Sequence, residues 1–141
     1  SQYKCTFRTA ELYLNAAEAL AQLDQLPEAR DYLLKLMEKR YTSAGYTQKK
    51  NEVNAMNQAE LITEILNERA RELAFEGHRW FDLVRTGTFI KRMKEHSAYE
   101  AKVAEKNKTD IASNIKDHMI LMPIPQRELD LNPELTQNPG W

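Results

Sequence analysis

Residues 10–40 decide the fold, and they run AELYLNAAEALAQLDQLPEARDYLLKLMEKR. The first half of this stretch predicts a helix over residues 10–23, with Thr9 as its N-cap and Glu11 in its first turn. Its apolar side chains recur at i, i+3, i+4 and i+7, the spacing of one helix face: Tyr13, Ala16, Ala17 and Leu20.

The second half of the stretch predicts another helix, which begins at Pro27. Proline suits a helix start, because its missing N–H would have no partner in the first turn. The buried face of this helix is predicted to hold Ala29, Leu33, Leu36 and Met37, so the stretch folds back as a helical hairpin.

Small residues of this hairpin indicate how closely its two helices pack. Ala17 and Ala29 stand 12 residues apart among larger apolar side chains, which is close to the pattern of a tetratricopeptide unit. Such a unit needs stacked neighbours, since it cannot bury its apolar face alone. An ordinary helical hairpin is the equally weighted alternative.

Further helices are expected downstream of a loop. Residues 41–56 are polar and are predicted to be that loop. Asn57 and Glu60 form a potential capping box for a third helix. The buried face of this helix is predicted from Ile62, Ile65, Leu66 and Leu73, and Arg69 falls on the same face.

The remainder of the chain divides into shorter segments. A fourth helix passes through residues 80–84 and ends near Gly87, a solvated helix is predicted over 88–106, and residues 106–117 form a loop. Four prolines between 119 and 141 exclude a long helix there, although a short helical turn at 126–129 is allowed.

The predicted fold class is therefore all-α, with tetratricopeptide-like helical hairpins and an extended, proline-containing C-terminal tail. We expect one domain over residues 1–141. Its parts are the hairpin at 8–40, the helices with a charged block at 57–93, and the tail at 119–141.

The composition supports a helical fold and excludes several functions. Leu and Ala number 31 together, against 10 for Val and Ile, which favours helices over strands. With 20 basic and 21 acidic residues the formal charge is -1, so no nucleic-acid partner is expected. The lone Cys5 cannot form an internal disulfide, and no apolar run is long enough to span a membrane.

A dense charged block follows the third predicted helix. We interpret it as a structural network that holds two helices together beside a tryptophan, because each charge has an opposite charge close by. The alternative is a site for a polar ligand, with Trp80 or Phe81 as a stacking surface. The predicted network comprises Glu68, Arg69, Glu72, Glu76, Arg79, Trp80, Asp82 and Arg85.

Aromatic side chains outside the predicted core are the better candidates for binding a ligand. A ring in a loop, on a solvated stretch or at a terminus can stack on the face of a sugar, although each could instead fold onto the protein surface. The candidates are Tyr41, Tyr46, Tyr99 and Trp141.

No catalytic residue, metal site or cofactor is predicted. The three histidines, His78, His96 and His118, lack the spacing of a zinc-binding motif. The chain also has no G-x-S-x-G sequence and no phosphate-binding glycine loop.

The order of motifs along the chain resembles the C-terminal part of the SusD/RagB family. The segment from Arg8 to Leu14 (R-x-A-E-x-x-L) comes first, followed by Glu68-Arg69 and then by E-G-x-R-W-F-D-L-x-R at 76–85. M-P-I-P at 122–125 and Q-N-P-G-W at 137–141 complete the series. The stretches at 41–56 and 94–117 match nothing specific.

This resemblance implies a non-enzymatic, lipid-anchored protein of the Bacteroidetes outer membrane that binds nutrients, usually glycans. It would pass its ligand to a TonB-dependent, SusC-like transporter. The present chain would supply the helical scaffold of a longer protein, whose missing N-terminal part would carry the signal peptide, the lipid anchor and much of the glycan surface.

Two other functions stay open from the residues alone. The chain could be a helical-repeat module that binds another protein and no small molecule, or, with less support, a glycan-active enzyme. A lipoprotein signal and several hundred residues upstream of Ser1 would favour the nutrient-binding protein over the interaction module.

Overall fold

The structure is a computed structural model that describes residues 8–103 and 114–141, and every regular element in those two ranges is helical. This confirms the predicted all-α class. The helices, in chain order, are α1 Thr9–Gln22, α2 Leu26–Met37, α3 Ser43–Ala55, α4 Gln58–Glu72, α5 His78–Arg85, α6 Phe89–Val103, a 3₁₀ helix at Asp117–Ile120, and α7 Gln126–Leu131.

Helices α1 and α2 form the predicted hairpin, with Pro27 in the first turn of α2. Two details of α1 differ from the prediction. The N-cap is Arg8, and Thr9 is already helical. The buried stripe is centred on Ala10, Leu14, Ala17 and Ala21, so Tyr13, Ala16 and Leu20 are only half-buried at its edge. The stripe is displaced because α1 packs against both α2 and α4.

The core of this part of the chain is aliphatic and continuous. The predicted face of α2 is confirmed, since Ala29, Leu33, Leu36 and Met37 are all buried. Leu61 and Ile65 of α4 complete the cluster opposite α1. Alanines at the α1–α2 contact let the two helix backbones approach closely.

The predicted loop at 41–56 is wrong, because residues 43–55 form helix α3. Val53 is the one buried residue of α3, so no apolar period marked this helix in the sequence. Polar interactions hold it instead. Thr42 caps its first turn by accepting a hydrogen bond from the backbone N–H of Gly45, and Gln48 and Lys49 both donate to Glu52.

Helix α4 begins as predicted, with a capping box. The Asn57 side chain accepts from the backbone N–H of Glu60 at 3.0 Å, and the Glu60 carboxylate accepts from the backbone N–H of Asn57 at 2.9 Å. The side chain of Gln58 donates to the carbonyl oxygen of Ala21 at 2.8 Å, which joins the start of α4 to the last turn of α1.

The chain divides into two compact units, residues 1–79 and 80–141, and the boundary falls inside α5. Helix α5 and the short helix α7 occur where helical turns were predicted, and α6 covers the described part of the predicted helix at 88–106. Most of the predicted loop at 106–117 lies outside the described residues. None of the helices over 8–103 and 114–141 combines the length and apolar character needed to cross a membrane.

Candidate functional site

The end of α4 carries the carboxylate of Glu72, which pairs with two arginines. Only 7% of this side chain is exposed. Arg40 donates to its two oxygens from Nε and Nη2, at 2.7 and 2.8 Å. Arg8 donates from Nη1 to the same carboxylate and from Nη2 to the Glu72 carbonyl oxygen. Two guanidinium groups therefore enclose one buried acid.

Arg8 also reaches the turn that follows α4. Arg8 donates from Nε to both oxygens of Glu76 at 3.1 Å, and from Nη2 to one of them at 2.8 Å. The N-cap of α1 is thus tied to the C-terminal end of α4 through charge-assisted hydrogen bonds. The N-cap, the end of α2 and the end of α4 converge on this cluster.

These contacts fix the charge state of the cluster. Hydrogen bonds from Arg40, and then from Arg8, lower the pKa of Glu72 to about 2, although burial acts in the opposite direction. The pKa of Glu76 is lowered mainly by its hydrogen bonds with Arg8. Glu72 therefore stays ionised at neutral pH and has no proton to donate, so it is unsuited to act as a general acid.

The other predicted network residues of the first unit lie beside this cluster on α4. Glu68 is buried and accepts from Nε and Nη2 of Arg71, at 2.8 and 2.6 Å. Arg69 is buried and donates from Nη1 to the side chain of Asn15 on α1 at 2.5 Å. Each buried charge of α4 thus has a polar partner.

Residues from the second half of the predicted network form a separate arrangement on α5. Asp82 is buried and accepts from Nε and Nη2 of Arg85 at 3.0 and 2.7 Å. The Trp80 ring meets the Phe89 ring edge-on, with centroids 4.7 Å apart. Arg79 is half-buried in the first turn of the same helix.

Sequence reasoning did not identify the partners of Glu72. It predicted that each charge of the block has an opposite charge close by, whereas Arg8 and Arg40 are 64 and 32 residues away from Glu72. Arg8 opens the first motif that carries the family resemblance, and Arg40 ends the second predicted helix. Apart from the place of Arg8 in that motif, the signal that could have singled out the two arginines is their position at helix ends.

The four candidate aromatic residues are distributed over both units. Tyr41 and Tyr46 are half-buried and pack against the aliphatic core at the end of α2 and the start of α3. Tyr99 is 61% exposed on α6. Trp141 is 49% exposed, and its Nε1 donates to the carbonyl oxygen of Leu121 at 2.8 Å. Within the first unit, Tyr41 and Tyr46 both pack against the same aliphatic cluster.

Helices α1 and α2 form a hairpin with alanines at their contact, and α1 also packs against α4. Ion pairs around the Glu72 carboxylate fix the helix ends. This arrangement defines a helical-repeat scaffold of the tetratricopeptide-like class. The family model described as the SusD family matches residues 1–141. The chain therefore belongs to the SusD family.

Three SusD-like proteins from Formosa agariphila are similar to this chain. P25 is 31% identical over 98% of the chain, P38 is 33% identical over 94%, and P2 is 34% identical over 95%. The chain spans about a quarter of the length of these curated relatives: 24% of P25, 23% of P38 and 25% of P2.

A solved structure has the same fold. The crystal structure of a SusD homolog from Bacteroides thetaiotaomicron superposes with a TM-score of 0.74 at 25% sequence identity. The match covers 96% of this chain and 26% of that protein.

Proposed function

We propose that this chain is the C-terminal helical domain of an outer-membrane, lipid-anchored protein that binds nutrients, in particular glycans, without catalysing their breakdown. The protein would pass its ligand to a TonB-dependent, SusC-like transporter. The observation that carries this proposal is the SusD family match over all 141 residues.

The main role of the chain in this proposal is that of a rigid scaffold. Two acids that could serve as catalytic groups on α4 are already engaged. Glu68 is buried and bonded to Arg71, and the Glu72 side chain, only 7% exposed, is bonded to Arg8 and Arg40. Such a network holds helix ends in place, and Glu72, whose pKa is lowered to about 2 by its arginine partners, has no proton to donate at neutral pH. This supports binding in preference to hydrolysis, which would need one carboxyl group with a raised pKa.

The sugar contacts proposed within this chain are the four aromatic side chains named above. Tyr99 and Trp141 expose enough of their rings to stack on a sugar face. Tyr41 and Tyr46 are partly buried against the core, so each could present one ring edge without a large change in structure.

Calorimetric titration tests the proposal directly. A panel of oligosaccharides would be titrated into this chain and into a protein extended to the length of its relatives. We expect the extended protein to bind at least one glycan. Tyr41→Ala, Tyr46→Ala, Tyr99→Ala and Trp141→Ala would then locate any part of the site in this chain, with Leu23→Ala as an exposed apolar control. If the extended protein binds no glycan in the panel, the proposal is overturned.

A helical-repeat module that binds another protein is the second candidate function. The observation that favours it is a set of large apolar side chains on the surface, among them Phe75, which is fully exposed, and Met122 and Leu131. Co-purification of the extended protein with a transporter, and loss of that association in Phe75→Ser, would support this role. A protein that binds glycans but purifies alone would contradict it.

A further inference from the structure

A cavity of about 300 Å³ opens between the first turn of α1 and the last turn of α2. It lies wholly within the first compact unit. Its walls are formed chiefly by Thr9 and Tyr13 from α1 and by Lys35, Glu38, Lys39 and Arg40 at the end of α2. Ligand pockets span roughly 300–1,000 Å³, so this cavity suits a single sugar unit better than a long chain.

The cavity carries an excess of positive charge. Three of its lining side chains are cationic and one, Glu38, is anionic. The two lysines have only exposed partners. Lys39 is 73% exposed and lies 3.8 Å from Glu38, and Lys35 pairs with the exposed carboxylate of Asp31. Exposed pairs of this kind contribute little stability, so an anionic ligand can replace them at low cost.

Arg40 links the cavity to the buried cluster. Its Nε and Nη2 are bonded to Glu72, and Nη1 takes part in neither bond. Glu72 thereby fixes the plane of the guanidinium group. An arginine that is already oriented loses less conformational freedom when it binds an acidic group.

Two tyrosines supply an aromatic surface beside these cations. The rings of Tyr13 and Tyr32 meet edge-on with centroids 5.7 Å apart, and the Lys35 ammonium lies 5.5 Å from the Tyr32 centroid. Cations at the end of α2 would be expected from its helix dipole alone. The helix dipole does not account for the aromatic ring of Tyr13 in the cavity wall.

We propose that this cavity is a binding subsite for an acidic sugar unit. The sugar face lies against Tyr13, and its carboxylate or sulfate ester accepts hydrogen bonds from Lys39 and Arg40. The inference rests on the proposed glycan-binding function and names the class of sugar, which charge-assisted hydrogen bonds distinguish from a neutral one.

Titration of this chain with two matched trisaccharides, followed by calorimetry and by ¹⁵N NMR, tests the subsite. Trigalacturonic acid is the acidic probe and maltotriose is the neutral one. We expect trigalacturonic acid to bind about tenfold more tightly than maltotriose, with the largest amide shifts at residues 9–13 and 35–40. Its binding should weaken as salt is added. A sulfated galactose disaccharide tests whether a sulfate ester can replace the carboxylate.

Variants separate the two contributions to binding. Lys39→Gln should weaken trigalacturonate binding about fivefold and leave maltotriose unchanged, because it removes a charge and little else. Tyr13→Ala should weaken both ligands by removing the ring. Lys91→Gln removes an exposed lysine from α6 and serves as the matched control, with binding within a factor of about two of the unmodified chain.

Three results would overturn the subsite. The first is equal binding of the acidic and neutral trisaccharides, or no binding of either. The second is displacement of trigalacturonate by equimolar inorganic sulfate, which would mean a simple anion site without a sugar. The third is a set of shifts confined to residues 80–141. In each case, glycan binding by the extended protein would leave the proposed function standing.

Discussion

Different interactions stabilise the inside of each of the two compact units. In residues 8–79, aliphatic side chains such as Leu14, Leu33 and Ile65 are fully buried, and the carboxylate of Glu72 is enclosed by two arginines. In the described residues of the second unit, the side chain of Gln137 instead accepts from the backbone N–H of Ile124 and donates to its carbonyl oxygen, at 2.8 and 2.9 Å.

The tail is fixed by a group of side chains that we call the C-terminal clamp. It consists of Gln137, Asn138 and Trp141, which hydrogen-bond to main-chain groups between Leu121 and Ile124. Asn138 donates to the carbonyl oxygen of Met122, and Trp141 donates to that of Leu121. The comparison teaches that apolar periodicity organises the first unit and that hydrogen-bonding geometry organises the tail.

The largest effect is expected from the core of the first unit. Leu33→Ala should lower the free energy of unfolding by about 3 kcal/mol, because Leu33 is fully buried and its truncation leaves a cavity. Urea denaturation followed by circular dichroism measures this. Leu131→Ala, which truncates a 69% exposed leucine of α7, is the matched control and should cost under about 0.5 kcal/mol. Equal losses in both variants would contradict the comparison.

The ion cluster should give the next largest effect. Glu72→Gln leaves Arg8 and Arg40 without their shared carboxylate and should cost about 2–3 kcal/mol at pH 7. Glu95→Gln changes an exposed acid of α6 and should have little effect.

The pH dependence of stability sharpens the same prediction. The folded pKa of Glu72, about 2, lies below the ordinary value of 4.5, so its stabilisation is present above about pH 5 and disappears as pH falls toward 2. The urea midpoint should therefore drop over this range in the unmodified chain and drop less in Glu72→Gln. Parallel curves for the two proteins would exclude the proposed role of Glu72.

Alanine substitutions at two glycines of the second unit should have smaller effects, which differ between the two positions. Both Gly87 and Gly140 have positive φ angles, so an alanine at either position costs on the order of 1 kcal/mol. A Cβ at Gly140 would also lie 2.5 Å from Cγ of His118, whereas a Cβ at Gly87 meets nothing within 4 Å. Gly140→Ala should therefore shift the NMR signals of His118 and of the Trp141 indole, and Gly87→Ala should leave them in place.

The most local change is expected at the clamp itself. Gln137→Ala removes both hydrogen bonds to Ile124 and should raise the exchange rate of the Ile124 amide by about tenfold, which corresponds to roughly 1.4 kcal/mol. Gln126→Ala removes only an exposed bond to Asp130 and is the control. An unchanged Ile124 amide in Gln137→Ala would mean that other contacts hold this segment.

Sequence patterns predicted the elements that apolar periodicity defines. Helices α1, α2 and α4 were found because each presents apolar side chains at helical spacing, and the capping box at Asn57 fixed the start of α4. Helix α3 was missed because it buries only Val53, and polar pairs along its surface carry no comparable pattern. The position of the buried stripe on α1 depends on how α2 and α4 pack against it. Apolar periodicity alone does not predict that packing.

The candidate sites were less predictable, since they depend on contacts between distant residues. The charged block was singled out, but the arginines around Glu72 come from positions 8 and 40, which only the folded chain brings to it. Tyr13 was assigned to the buried face of its helix. Its half-buried position beside three cations became visible only once α2 was placed against α1.

Native-state hydrogen exchange in increasing urea tests the central claim most directly, namely that the two regions are stabilised by different forces. We predict that the slowest amides of α1, α2 and α4 exchange only through unfolding of the whole first unit, with a free energy that falls steeply with urea. The amides of Ile124 and Trp141 should exchange through local opening, at a lower free energy that hardly changes with urea. A single free energy and a single urea slope for both regions would contradict this account.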